Sequence, residues 1–256
     1  MAVKSIGHTG MNVNRQIVIM SVVILGLGIL LITRPILQTD QNTLEVFFGV
    51  FGVIYAIVAG FIIVVLLENY RAIKGHIWAE VNALQDLRDY LIYVDNQPHV
   101  VGAIKGTIKT YVESIITQEW PAMVNCRKIN MDTPTTIYAI MQSINRIDVT
   151  NPSDAVALSK LIDTLGEITT HRTNRLYASG EKLPFLLMLF IVILSILVVF
   201  AFTLLPIEDM TIRILLNGIN MFAVVFSYIV IQDLSHPFQG AWCINNEPYQ
   251  DLLATM

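Results

Sequence analysis

The apolar positions gather into four long runs without a charged residue, with helical stripes between the second and third. Residues 16–33 are uncharged over 18 positions, 46–67 over 22, 183–207 over 25 and 214–232 over 19. Crossing ~30 Å of hydrocarbon takes ~20 helical residues. Lipid offers no hydrogen-bond partners, so each run must close its own backbone bonds as a helix. The runs are apolar all round, which excludes the alternating pattern of a β-barrel. The pattern predicts transmembrane helices at about 16–33, 46–68, 183–206 and 213–232. The first run is too long for a signal-peptide core and ends in Thr33-Arg34-Pro35 without a small-residue cleavage site. It reads as a span.

Between spans 2 and 3 the apolar period is that of a helix facing water. Ile73, Ile77, Leu84, Leu87, Leu91 and Val94 form one stripe, continuing span 2 beyond the membrane. Pro98 can open a further helix with Val101, Ile104, Ile108, Val112 and Ile115 on one face. Thr133-Pro134 and Asn151-Pro152 read as N-cap/N1 pairs starting helices near 134–147 and 152–180. Gly180 and Pro184 punctuate the entry to span 3. The expected architecture is an all-α membrane protein with a helical cytoplasmic domain inserted between spans 2 and 3. The expected segments are 1–68 with spans 1 and 2, 69–182 as the inserted domain, 183–233 with spans 3 and 4, and 234–256 as a cytoplasmic tail.

Charge sets the orientation. Of the 16 Lys and Arg, Lys4 and Arg15 precede span 1 and 12 lie between spans 2 and 3. The hairpins joining spans 1–2 and 3–4 carry only Arg34 and Arg213, beside the acidic Asp40, Glu45, Glu208 and Asp209. By the positive-inside rule both termini and the insert are cytoplasmic, in a multi-pass protein of the cell membrane. Composition agrees: 54% of residues are hydrophobic and 14% charged, with mean hydropathy +0.61. Soluble domains usually carry ~25% charged residues. A net charge of −4 gives no electrostatic basis for nucleic-acid binding, and two cysteines, Cys126 and Cys243, make no disulfide framework.

Enzyme signatures are missing: there is no Walker loop, G-x-S-x-G, H-E-x-x-H or C-x-x-C. His76 and Glu80 stand i, i+4 and can touch one metal ion, but they lack a third ligand, and a solvated helix pair is the default. No catalytic residue, cofactor or metal is expected. No ionisable residue is centred in a span, which argues against a proton relay or carboxylate-coupled transporter and leaves a passive pore open. Asn217, Asn220, Val224, Ser227 and Ile231 share one face of span 4, either bonding between helices or touching water. On span 2, Val53, Ile57 and Phe61 lie one turn apart, Val64 continues the line, and Phe47, Phe51 and Tyr55 form a neighbouring aromatic stripe. Such a line faces lipid or another helix in most spans; alternatively it is an apolar pore constriction. Near the inner surface, Arg172 and Arg175 can pair Glu119, Glu80 or Asp233 and hold the insert to the membrane domain. Their other role would be to draw anions to an inner mouth.

These segments resemble the bestrophin-like membrane proteins of bacteria, archaea and plants, and more distantly the bestrophin channels. The matching pieces are Phe51-Gly52-Val53-Ile54-Tyr55 through Ala59-Gly60-Phe61, Glu119-Trp120-Pro121, Arg172 with Arg175, Leu183-Pro184, and Asp233 followed by His236-Pro237-Phe238-Gln239-Gly240. The resemblance implies a homo-oligomer, pentameric in bestrophins, with span 2 lining an axial pore and Val53, Ile57 and Phe61 at its hydrophobic neck. Bestrophins follow their Pro-Phe-Gly with an acidic calcium cluster; here 241–247 has no acidic run. The expected partners are the lipid bilayer, inorganic ions and further copies of the chain. The competing expectation is a non-conducting scaffold or signalling protein acting through its insert, which is about 114 residues long.

Overall fold

The computed structural model describes residues 41–125, 132, 134–181 and 183–256. The first predicted span, residues 16–33, lies outside them, as do Cys126 and Thr133. Among the described residues every regular element is helical. The main ones are α1 (Gln41–Tyr90), α2 (Pro98–Ser114), α3 (Trp120–Val124), α4 (Thr135–Ile144), α5 (Pro152–Gly180), α6 (Phe185–Thr203), α7 (Met210–Leu234) and α8 (Glu247–Ala254). A 3-10 turn, Leu91–Tyr93, follows α1, and a π-helical turn, Ile115–Glu119, joins α2 to α3. Among the described residues three helices, α1, α6 and α7, are long and apolar enough to cross a membrane.

The chain forms two compact units. The first takes α1 up to Leu66 together with Leu183–Ser235. One core cluster of this apolar unit is Val198, Val199, Met221 and Val224, with Phe48, Phe51 and Tyr55 packed against it. Asp209 caps α7 by accepting from the backbone N–H groups of Thr211 (2.7 Å) and Ile212 (3.1 Å). That carboxylate therefore satisfies two N–H groups that an uncapped helix would leave free.

The second unit takes Leu67–Lys182 and His236–Met256. All six residues of the stripe from Ile73 to Val94 are buried, against Ile104, Ile108, Ile137, Ile140, Leu161 and Ile168 from α2, α4 and α5. Residues 236–256, far from the insert in sequence, supply Phe238, Ile244, Tyr249 and Leu252 to this same core. The start of α5 follows the expected chemistry. The Asn151 side-chain oxygen accepts from the Asp154 N–H, and the Asp154 carboxylate accepts from the Asn151 N–H, a capping box. Asp154 also accepts from the Asp95 N–H (3.1 Å) and from the Thr150 hydroxyl (2.7 Å), so the cap fastens the loop after α1 as well. These bonds, with the Thr150 hydroxyl foremost, hold the Asp154 carboxyl below its ordinary value. The expected start at Thr133-Pro134 shifts by one position: Pro134 is extended at the cap and α4 begins at Thr135, ending at Ile144.

Candidate functional site

The charged residues singled out near the inner surface converge inside the second unit. Glu80 comes from α1, Glu119 from the end of the π-helical turn, and Arg172 and Arg175 from α5. Arg175 is the hub. Its Nε donates to Glu80 Oε2 at 2.8 Å, and its Nη2 donates to Glu119 Oε2 at 2.8 Å. Arg172 Nε donates to Glu119 Oε1 at 2.8 Å, and its Nη1 reaches the Asp132 carbonyl at 3.2 Å. Two phenols complete the coordination of Glu80: Tyr111 Oη donates to Oε1 at 2.7 Å and Tyr249 Oη to Oε2 at 2.8 Å. Glu80 and Arg175 are 0% exposed and Arg172 is 2% exposed.

Two carboxylates facing two guanidiniums make the cluster neutral by formal charge, the condition under which buried ions are tolerated. Burial pushes the Tyr111 phenol well above its ordinary value, and the negative charges of Glu80 and Glu119 add to this. Burial also pushes the Tyr249 phenol well up, so both stay protonated and can donate. Arg175 is driven the other way by burial, but Glu80, Tyr249 and Glu119 together keep its value well above the ordinary one. The expectation of a solvated His76–Glu80 pair is thereby corrected. Glu80 points into the core toward Arg175, and it accepts four hydrogen bonds, two from Arg175 and one each from Tyr111 and Tyr249.

Packing around the cluster joins two of the short sequence motifs. Trp120 of Glu119-Trp120-Pro121 meets Phe238 of His236-Pro237-Phe238-Gln239-Gly240 edge-on, with ring centroids 5.4 Å apart, and Tyr249 at 6.1 Å. Pro237 accepts from the Ile244 N–H at 2.8 Å, while Gln239 Nε2 donates to the Val124 carbonyl. His236 accepts from the Gln239 N–H at 2.8 Å, and Gly240 then turns the chain at φ 94°, a backbone conformation that strains any side chain. Asp233 belongs to α7 of the first unit.

In the first unit the candidate neck residues lie on one open face of α1: Val53 is 59% exposed, Ile57 66% and Phe61 67%. The opposite face turns Ala59, Ile62 and Leu66 inward. The polar face of α7 points inward as well, with Asn217, Val224 and Ile231 buried. Asn217 Nδ2 donates to the Arg213 carbonyl and Ser227 to the Ala223 carbonyl, both bonds to their own helix. Asn220 and Ser227 line a groove of about 420 Å³ with Val53, Gly49, Gly52 and Tyr55.

Residues 16–249 match the family model described as Bestrophin-like domain. The chain belongs to the bestrophin-like family. The match spans both compact units, so the ionic cluster and the open face of α1 both lie within bestrophin-like sequence. No curated protein and no solved structure matches the chain.

Sequence reasoning missed the two tyrosines. Tyr111 falls on the buried face of α2 with Ile104, Ile108 and Val112, where it passes for an ordinary core aromatic. Tyr249 lies 169 positions from Glu80, and no local pattern ties the two together.

Proposed function

We propose that this bestrophin-like chain forms a homo-oligomeric ion channel of the cell membrane, with four spans and with both termini and the second unit in the cytoplasm. The observation that supports it best is the kind of side chain α1 exposes. Phe61 apart, its most open positions are the smaller Val46, Val50, Val53, Ile57 and Val64, with Gly49, Ala56 and Gly60 between them. The open faces of α6 and α7 instead carry Phe185, Leu186, Phe190, Phe222 and Phe226. Bulky residues suit acyl chains, whereas small ones let helices of neighbouring copies approach closely around an axis. In that arrangement Val53, Ile57 and Phe61 ring the narrowest part of a passive pore. They would gate it by wetting or widening. The acidic residues Glu45, Glu208 and Asp209 on the external side favour cations entering from outside.

The test is conductance of the purified chain in planar bilayers. Phe61→Ala or Ile57→Ala should raise conductance or leak, because each removes bulk from the constriction. Unchanged conductance in both variants would remove α1 from the ion path. A second reading, a scaffold that recruits a partner through the second unit, draws on Ile92, Tyr93 and Val156, which are exposed there. It is favoured if the assembled protein passes no current while those three residues stay open to solvent.

A further inference from the structure

His76 stands one turn before Glu80 on α1, but the fold commits Glu80 to Arg175 and gives His76 a different neighbour. α1 and α5 bring His76 and His171 together, with ring centroids 5.9 Å apart and ring planes at 37°. Both residues are partly buried within the second unit. Nδ1 of His171 is shielded from solvent and has no hydrogen-bond partner among the described residues. A shielded ring nitrogen left unpaired needs an explanation. Among the described residues no other His, Cys, Asp or Glu joins the pair to make a group of three.

We propose that His76 and His171 form a two-imidazole site for a borderline divalent cation of the Zn²⁺ class. Imidazole nitrogen is a preferred ligand for such ions, at ~2.0–2.1 Å in zinc sites. Two rings bound to one tetrahedral ion have centroids roughly 5 Å apart by that bond length, so the pair at 5.9 Å closes by less than about 1 Å on binding. Each ring sits on a long helix, so the pair is held together before any ion arrives. Water fills the remaining positions, which makes the site exchangeable rather than a structural centre with a closed ligand shell. Neighbouring Glu80 is committed to the ionic cluster, and the Arg172 guanidinium, a donor only, has no lone pair to offer a cation. A hard cation such as Mg²⁺ prefers an all-oxygen shell and would pass the site by.

The test uses the full chain in detergent micelles, with ZnCl₂ titrated against a chromophoric chelator. The unsubstituted chain should take up zinc at a site that His76→Gln and His171→Gln each weaken by about tenfold or more. MgCl₂ should not compete. Equal zinc uptake by the unsubstituted chain, both single variants and the double variant would overturn the proposal. Should a variant fold poorly, Cu²⁺ added to the unsubstituted chain gives a second measurement by electron paramagnetic resonance. Hyperfine coupling to two imidazole nitrogens supports the site, and coupling to one or none overturns it. None of these readouts depends on ion conduction, so the site and the channel reading stand or fall separately.

Discussion

The two compact units solve opposite problems with the same helical backbone. The first leaves many large apolar side chains open, Val53, Ile57, Phe61, Phe185 and Phe222 among them, and buries others such as Ile62, Leu194, Val198 and Val224. The second buries a long stripe of α1 with parts of α2, α4 and α5 and the 236–256 segment, and places four charged residues in their midst. Lipid and neighbouring helices can cover the open residues of the first unit, so its side chains need not close on themselves. Water would solvate the ions of the second unit more cheaply than protein does, so they persist only because every one has a partner. A given substitution should therefore matter very differently in the two units.

The largest effect is expected from Arg175→Met, which strands Glu80 as an uncompensated buried charge. Removing one partner of such a pair costs about 3–5 kcal/mol. Guanidinium unfolding of the chain in micelles, followed by circular dichroism, should show this loss, and adding Glu80→Gln should return part of it. Tyr249→Phe removes a single donor to the same carboxylate and should cost about 1–3 kcal/mol by the same measurement. A loss no larger than that of a surface substitution would mean Glu80 has another donor available.

Acid pH sharpens the comparison next. The Asp154 carboxyl sits below its ordinary value of 3.8 in the fold, so the unfolded chain takes up the proton first as pH drops. Its contribution to stability is complete above that value and is lost as pH falls through the lower, folded one. Thermal unfolding of the unsubstituted chain should therefore weaken below about pH 4. Asp154→Asn should begin less stable at neutral pH and lose less over the same acid range. The smallest effect belongs to Ile57→Ala, whose side chain is 66% exposed in the first unit. Its unfolding free energy should change by no more than about 0.5 kcal/mol. A loss as large as that of a buried isoleucine would mean the isolated chain already covers this face.

Helical periodicity made the stripe from Ile73 to Val94 legible, because a repeated apolar position has one low-energy place to go. The Asn151-Pro152 start was legible for a local reason: a cap and a proline act within one turn. The pairing of Arg172 and Arg175 with Glu119 and Glu80 was readable as a possibility, since buried guanidiniums require carboxylates. That all four charges lie inside one unit was not readable, because burial depends on which distant elements converge. The π-helical turn that ends at Glu119 has no sequence signature, yet it brings that carboxylate to both arginines. His76 illustrates the same limit. Its i+4 neighbour Glu80 looked like its companion, but the fold gives it His171, 95 positions further along.

The bond from Tyr249 to Glu80 also sets a timetable for folding. Glu80 must wait 95 positions for Arg175 and 169 for Tyr249 before its last donors exist. During synthesis the earlier helices can collapse on one another, but the carboxylate at their centre stays short of partners until both later apolar helices, α6 and α7, have been made. The middle of this unit is thus the last part to be completed, and a nascent chain halted before Tyr249 would carry an open wound at its centre rather than a missing edge.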